Sequence, residues 1–238
     1  MKLQKITDGS ENSLKRRYDD ACATAHALDL VGERWALLVM RELMLGPRRF
    51  SDLRAGLPGI SANVLTQRLE GLEASGLLIR RKLPPPAGSQ VYELTEWGYE
   101  SEPIFQALGR WAARSPAHDP TRPFSAASFL LSLRTMLDPR RAAGMDVRIG
   151  FRLGAESFVG HLANGQIEIA PGEVEGADLV FTGLPPVLAG AIYGGQDLVT
   201  LETSGALRIK GDRSIAERLV TLFPLPPKAV ETAREREV

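Results

Sequence analysis

Three prolines within eight residues interrupt the middle of this chain, between Arg114 and Pro123. Proline fixes φ and disfavours helix in the residue before it, so we expect an extended connector here. The 238 residues are also more than one small core requires. We therefore predict four segments: a domain at 1–115, a linker at 116–124, a domain at 125–227 and a charged tail at 228–238.

The composition excludes several classes of protein. The 29 basic and 29 acidic residues balance, which excludes a uniformly basic nucleic-acid coat. The single cysteine, Cys22, can form neither an internal disulfide nor a zinc site of thiolates. The start of the chain has no apolar signal core, and the longest uncharged run, 179–196, contains two prolines and four glycines. We expect a soluble cytoplasmic protein without a membrane helix.

Segments of helical and strand periodicity follow one another in a fixed order in the first half of the chain. They are a long amphipathic helix that ends at Gly46-Pro47, a short helix at 50–56, a turn at 57–60, a helix at 61–75 and a hairpin at 77–95. Ser61 is a good N-cap for the second helix of the pair, and Gly76 closes that helix. This order predicts a winged helix-turn-helix domain.

The helix that begins after Ser61 has one apolar side and one polar side. Its leucines recur at helical spacing, and the opposite side carries Asn63, Thr66, Gln67 and Glu70. An amide can bond an adenine edge, and a threonine can reach a phosphate or a thymine methyl. Arg68 lies on the flank, where it could contact DNA or pair with Glu70 or Glu73. We predict a recognition helix; the alternative for any single residue is a solvated helix face.

Two basic clusters flank this helix in sequence. Arg48 and Arg49 precede the short helix, and Arg80, Arg81 and Lys82 form the stem of the hairpin. Basic residues at these places would meet phosphates on either side of the groove that the recognition helix enters. For the stem residues, the alternative is an exposed strand edge protected by charge.

Several stretches of this half resemble the HxlR-type winged-helix transcriptional regulators. The similarity runs from about Tyr18 to Trp111, and its motifs are Ala27–Leu38, Gly46–Leu53, Leu57–Ser61, Leu65–Leu69, Leu72-Glu73 and Gly76-Leu77. The resemblance implies double-stranded DNA as a partner and a homodimer built largely from terminal helices. A helix at 96–114 would be a main dimer element, through Ile104, Phe105, Leu108 and Trp111. That stripe could instead be ordinary core.

Cys22 lies where some regulators of that family have a redox- or electrophile-sensing cysteine. Asp19 and Asp20 are closer to it in sequence than Arg16 and Arg17 are, so local charge does not favour a thiolate. We expect a buried, unreactive cysteine on an early helix, with sensing as the alternative.

Apolar and polar residues alternate along short runs in the second half, as in half-buried strands. The runs are 147–153, 156–163, 166–170, 178–182 and 206–210, and helices are predicted at 184–193 and 213–223. The fold class is therefore α+β. The bulky residues expected to face inward, and to line any pocket, include Phe151, Phe158, Phe181, Leu188, Ile192, Leu201, Leu207, Leu219 and Phe223. Such a lining packs solid or leaves a dry cavity, and periodicity alone favours the solid core.

The stretches Asn164–Ile169, Ala177–Gly183 and Ser204–Asp212 resemble the sterol carrier protein type-2-like fold, over about residues 125–225. The resemblance implies an α/β sandwich, a sheet covered by helices, that holds a fatty-acid-like or other apolar molecule. We expect no enzyme, no cofactor and no metal: the three histidines are scattered without ligand spacing, and there is no phosphate loop or nucleophile elbow.

These observations predict a dimeric DNA-binding regulator whose second domain binds an apolar small molecule. Two alternatives remain: a lipid-binding carrier whose winged helix serves only for dimerisation, and an interaction scaffold with a filled second core.

Overall fold

The computed structural model describes residues 18–84 and 88–230. The beginning of the first domain, part of the hairpin loop and most of the charged tail, at 1–17, 85–87 and 231–238, lie outside the described residues. The elements in chain order are α1 (Ala23–Val31), α2 (Ala36–Leu43), α3 (Phe50–Gly56), α4 (Ala62–Ala74), β1 (Leu78–Lys82), β2 (Gln90–Leu94), α5 (Glu96–Tyr99), α6 (Glu102–Ala112), α7 (Ala126–Met136), β3 (Asp146–Leu153), β4 (Glu156–Ala163), β5 (Gln166–Pro171), β6 (Leu179–Gly183), α8 (Pro185–Tyr193), α9 (Leu198–Thr203), β7 (Leu207–Gly211) and α10 (Arg213–Leu219).

The first half folds around its own apolar core, in which α2 and α4 pack together and against β1–β2. Strands β1 and β2 form an antiparallel hairpin with Leu78 opposite Leu94. A short bridge pairs Arg48 with Tyr92 beside this hairpin. The α+β class and the helix-turn-helix arrangement predicted from the sequence are thus confirmed.

Two predicted helices are interrupted. The long first helix is divided into α1 and α2 by Gly32–Trp35, where Trp35 has a φ of 79°. A bulky residue rarely adopts this left-handed conformation, so residue preferences do not reveal the break. The helix predicted at 96–114 is likewise divided into α5 and α6. Pro103 lies in the first turn of α6, and proline is tolerated in a helix only there, so the helix restarts just before it.

The second half contains a five-stranded sheet of order β5-β4-β3-β6-β7. Strands β3 and β6 are parallel, and the other neighbours are antiparallel. Asn164 and Gly165 both have positive φ, 52° and 72°, in the turn that joins β4 to β5, which is the geometry of a tight hairpin. Residues of the sheet and of α7, α8 and α10 form the second apolar core.

Helix α7 joins the two halves. Leu131 belongs to the first core, while Phe129, Leu130 and Leu133 belong to the second. Arg134 on the same helix donates to Glu102 of α6 at 2.8 Å and also to the carbonyl of Ile169. The last described residues return to the first half, because Lys228 Nζ donates to the carbonyls of Ala113 and Ser115, each at 3.1 Å. None of the helices described between residues 18 and 230 is both apolar and long enough to cross a bilayer.

Candidate nucleic-acid interface

Helix α4 is anchored by its leucines and exposes its polar side. Leu65, Leu69 and Leu72 are no more than 2% exposed. Ser61 caps the helix by accepting from the backbone N–H of Val64 at 3.2 Å. At the other end Gly76 has a φ of 73°, and the N–H of Leu77 reaches the carbonyl of Leu72 at 3.0 Å. Both ends of α4 are therefore fixed by local backbone contacts.

The outer side of α4 carries the side chains that can contact nucleobases. They are all exposed: Asn63, Thr66, Gln67 and Glu70. Two amides, one hydroxyl and one carboxylate offer both donors and acceptors, which is what discrimination in a major groove requires. Helix α3 precedes α4 in the chain, and the β1–β2 hairpin follows α4. This is the order of a helix-turn-helix with a wing.

Arg68 differs from the sequence expectation. Its Nε donates to the carbonyl of Arg34 at 2.9 Å, and its guanidinium lies 3.0 Å from the carboxylate of Glu33. It pairs with neither Glu70 nor Glu73, and its side chain is only 21% exposed. Arg68 thus ties α4 to the connection between α1 and α2, a contact across 34 positions that helical spacing could not show.

The stem of the hairpin presents basic side chains that already have carboxylate partners. Arg80 pairs with Glu73 at 2.9 Å and Arg81 pairs with Glu93. These hydrogen bonds raise the pKa of both arginines above their ordinary value. Lys82 is exposed next to them. Exposed ion pairs are weak, so phosphates can compete for the two arginines.

The two arginines before α3 point in different directions. Arg49 is exposed, and its Nε donates to Ser89 Oγ beside the hairpin loop at 3.1 Å. Arg48 instead pairs with Glu156 of β4 and lies 5.8 Å from the ring centre of Phe158. Its side chain is 16% exposed. The guanidinium of Arg48, which was expected to contact a phosphate, is therefore paired with a carboxylate of the second half.

Helix α6 presents an exposed apolar stripe. Ile104, Leu108 and Trp111 are 54%, 43% and 73% exposed, so they are not ordinary core. Phe105 is different: it is half-buried and packs against the first core. Leu28 of α1 adds a further exposed apolar side chain, at 47%.

Cys22 is exposed, contrary to the expectation of a buried thiol. It occupies the N-cap position of α1. Backbone hydrogen bonds from Thr24 and Ala25 lower the pKa of this thiol below its ordinary value, since they stabilise the thiolate. Neighbouring charges in the sequence do not reveal this effect, because it comes from the free N–H groups at the start of the helix.

The second core contains a small apolar cavity. Five of the predicted pocket residues line it together with Ala191 and Val220: Phe151, Phe181, Leu188, Ile192 and Leu207. Its volume is only about 10 Å³, the space of one water molecule. The other predicted lining residues, Phe158, Leu201, Leu219 and Phe223, lie elsewhere in or against the core. The core is thus nearly filled, as periodicity alone favoured.

No cluster of side chains with metal-binding character occurs within 18–84 and 88–230. His161 is exposed, and its Nε2 lies 2.7 Å from Asp146 Oδ1.

The anchored helix with an exposed polar face, preceded by α3 and followed by a hairpin, defines the first half as a helix-turn-helix domain. Comparison with known families matches residues 30–119 to the HxlR-like helix-turn-helix family. The HTH-type transcriptional regulator YvaP of Bacillus subtilis is 36% identical over 86 residues, which are 36% of this chain and 80% of YvaP. The chain therefore belongs to the HxlR-like helix-turn-helix family.

Two further comparisons concern the regulator YodB of Bacillus subtilis. Its sequence is 37% identical over 86 residues, which cover 36% of this chain and 77% of YodB. The structure of its reduced form aligns with 42% of this chain and all of that chain, at 33% identity and a TM-score of 0.38. The relatives are HTH-type transcriptional regulators, and they account for less than half of this chain.

Proposed function

We propose that this protein is a homodimeric, DNA-binding transcriptional regulator in which α4 is the recognition helix. The observation that carries the proposal is the exposed row of Asn63, Thr66 and Gln67 on a helix whose other side is locked into the core. Asn63 and Gln67 bond adenine edges, Thr66 contacts a thymine methyl or a phosphate, and the hydroxyl of Ser61 donates to a phosphate at the start of the helix. A partner of this kind implies a cytoplasmic protein.

The phosphate contacts of the proposal come from residues on both sides of α4. Arg49 lies at the start of α3, and Arg80, Arg81 and Lys82 lie on β1. Arg48 is not among them because Glu156 and Phe158 hold its guanidinium. Phosphate contacts position the protein on the duplex and carry no sequence information themselves.

The test is a comparison of base preferences. The full chain is used to select duplexes from a random library, and the Asn63→Ala, Gln67→Ala double variant is then measured on the selected duplex and on single-base changes of it. We expect about 1–3 kcal/mol of discrimination to disappear at each contacted adenine. Gln166→Ala, which removes an exposed amide on β5, is the matched control. An unchanged preference in the double variant refutes the assigned role of α4.

The proposed dimer is formed by the stripe of Ile104, Leu108 and Trp111 on α6. Exposed apolar side chains in a row are typical of a surface that a partner covers. We propose a second copy of this chain as the partner, because the two recognition helices of a dimer can bind successive half-sites about 34 Å apart.

We further propose that the second domain, over residues 125–227, binds a fatty-acid-like or other apolar molecule at the cavity beneath α8. The lining of the cavity has two phenyl rings, Phe151 and Phe181, stacked at 6.2 Å, and the resemblance to the sterol carrier protein type-2-like fold supports the proposal. The present volume of about 10 Å³ requires that α8 or α10 move away from the sheet when the ligand enters. Ligand and DNA then alter each other's affinity by the same factor.

The alternatives are a lipid carrier and an interaction scaffold without a ligand. Between these two alternatives, the nearly filled core of the second domain favours the scaffold. A salt series separates both from the regulator, because phosphate contacts make the logarithm of the DNA affinity fall with the logarithm of the salt concentration.

A further inference from the structure

We propose that Arg48 is a positioning residue and not a DNA contact. It holds the hairpin and the start of α3 against the second domain, so that a change in that domain's apolar core changes the DNA-binding surface. This inference deepens the proposed function and rests on it.

The connection between α2 and α3 is inserted into the second domain. Leu45 is 3% exposed and belongs to the second core rather than the first. At Gly46 a Cβ atom would lie 3.8 Å from the ring of Pro171. Arg48 then contacts Glu156 and the ring of Phe158. Leu45 and Arg48 thus contact the second domain, and Gly46 between them leaves little more than the space of a methyl group beside Pro171.

A single strand pair separates Arg48 from the cavity. Phe158 lies directly opposite Phe151 in the β3–β4 register. Phe151 lines the cavity and stacks on Phe181. Interiors are close-packed, so a shift of Phe151 is passed to its neighbours rather than absorbed by empty space. Phe158, and the Arg48 guanidinium 5.8 Å from its ring, are among the groups that receive such a shift.

On its other side Arg48 is bound to the hairpin through its backbone. Its N–H donates to the carbonyl of Tyr92 at 2.9 Å, and the N–H of Tyr92 donates to the carbonyl of Arg48 at 2.8 Å. The ring of Tyr92 lies 5.7 Å from the guanidinium of Arg80, which is a proposed phosphate contact. The next residue, Arg49, is the N-cap of α3. A displacement of Arg48 therefore moves both the hairpin and α3.

The other end of α3 is also connected to the second domain, through Glu42 and Ser125. Glu42 on α2 is only 4% exposed, and its Oε1 accepts from the hydroxyl of Ser125, the N-cap of α7, at 2.7 Å. Its Oε2 lies against Gly56, the last residue of α3, where a Cβ atom would be 2.5 Å away. Groups connected to the second domain thus contact α3 near both of its ends.

The decisive experiment is a salt series of DNA binding with the full chain, on a duplex selected by the wild-type protein, from about 50 to about 200 mM salt. Lys82→Gln is the control for a true phosphate contact and should reduce the slope of log affinity against log salt by about 0.9. For Arg48→Gln we expect the wild-type slope together with an affinity changed by about fivefold or more. Glu156→Gln should give the same change, and the double variant no further change.

A third arm tests transmission from the core. Phe151→Leu should change the affinity for the same duplex by about fivefold in the wild-type background and by less than about twofold in the Glu156→Gln background, where the connection is broken. Glu156 is 40% exposed, so Glu156→Gln keeps the fold and carries the test alone if Arg48→Gln does not fold.

The inference is overturned if Arg48→Gln lowers the slope as Lys82→Gln does, because Arg48 then contacts phosphate. It is also overturned if Glu156→Gln steepens the slope, if both variants bind as the wild type does, or if Phe151→Leu acts equally in both backgrounds. If no duplex is selected and no salt dependence is seen for the wild type, the proposed function itself has failed.

Discussion

We predict that Arg68 stabilises the position of α4 in the folded protein and does not contact DNA. In the structure its guanidinium donates to the carbonyl of Arg34 at 2.9 Å and pairs with Glu33 at 3.0 Å. A hydrogen bond from a charged donor contributes about 1.5–3 kcal/mol. Glu33 is 66% exposed, and such an ion pair adds at most about 1 kcal/mol. Arg68→Ala should therefore lower the free energy of unfolding by about 1.5–4 kcal/mol, and Glu33→Gln by less than about 1 kcal/mol.

The assay is urea unfolding followed by tryptophan fluorescence. The chain has three tryptophans, and all of them, Trp35, Trp97 and Trp111, lie in the first half. The fluorescence thus reports on the helix-turn-helix domain and not on the second domain. The reasoning is refuted if both variants lose the same free energy of unfolding, or if Arg68→Ala loses less than about 0.5 kcal/mol. It is also refuted if Arg68→Ala reduces the slope of log DNA affinity against log salt by about 0.9, because Arg68 is then a phosphate contact.

Three further predictions concern the dimer, the cavity and the thiol. Trp111→Glu should convert the dimer to a monomer in analytical ultracentrifugation, while Val199→Glu, at an exposed apolar residue of α9, should not; a dimeric Trp111→Glu protein contradicts the proposed interface. Native mass spectrometry should detect a bound apolar molecule in the wild type and a lower occupancy in Ala191→Val, where the added methyl groups take up the space of about 10 Å³; an empty wild type supports the scaffold. The pH midpoint of Cys22 alkylation should be lower in the folded protein than in urea, because the pKa is lowered only in the folded state. Thr24→Val should raise the midpoint of the folded protein, because it removes the hydrogen bond from the Thr24 side chain. Equal midpoints in folded and unfolded protein would show that the hydrogen bonds at the start of α1 do not lower the pKa of Cys22.

The sequence predicted those features whose causes are local. Leucines at helical spacing, a serine before α4 and a glycine after it define that helix, because each acts through its own backbone or its nearest turn. The same holds for β3–β5, where alternation and the Asn164-Gly165 turn determine both the strands and their register.

The features that the sequence did not predict depend on contacts between distant residues. Arg48 has a partner 108 positions away, and Arg68 has one 34 positions away. The helix break at Trp35 has a similar origin: its left-handed backbone is unfavourable locally and persists only where the surrounding structure holds it. Neither charge clusters nor periodicity contains information of this kind.

The cavity shows a further limit of sequence patterns. Alternation identifies which side chains face inward, but whether they leave space depends on their rotamers and on the positions of the helices. A volume of about 10 Å³ between Phe151, Leu188 and Val220 could not be predicted from the residues alone.

The claim that two copies of α4 lie in successive major grooves is tested most directly by the sequence that the full chain selects from a random duplex library. We expect an inverted repeat that contains adenines, with half-site centres 10–10.5 base pairs apart, about 34–36 Å, or a multiple of that spacing. Selection of a single half-site, or no enrichment over the starting library, would contradict it.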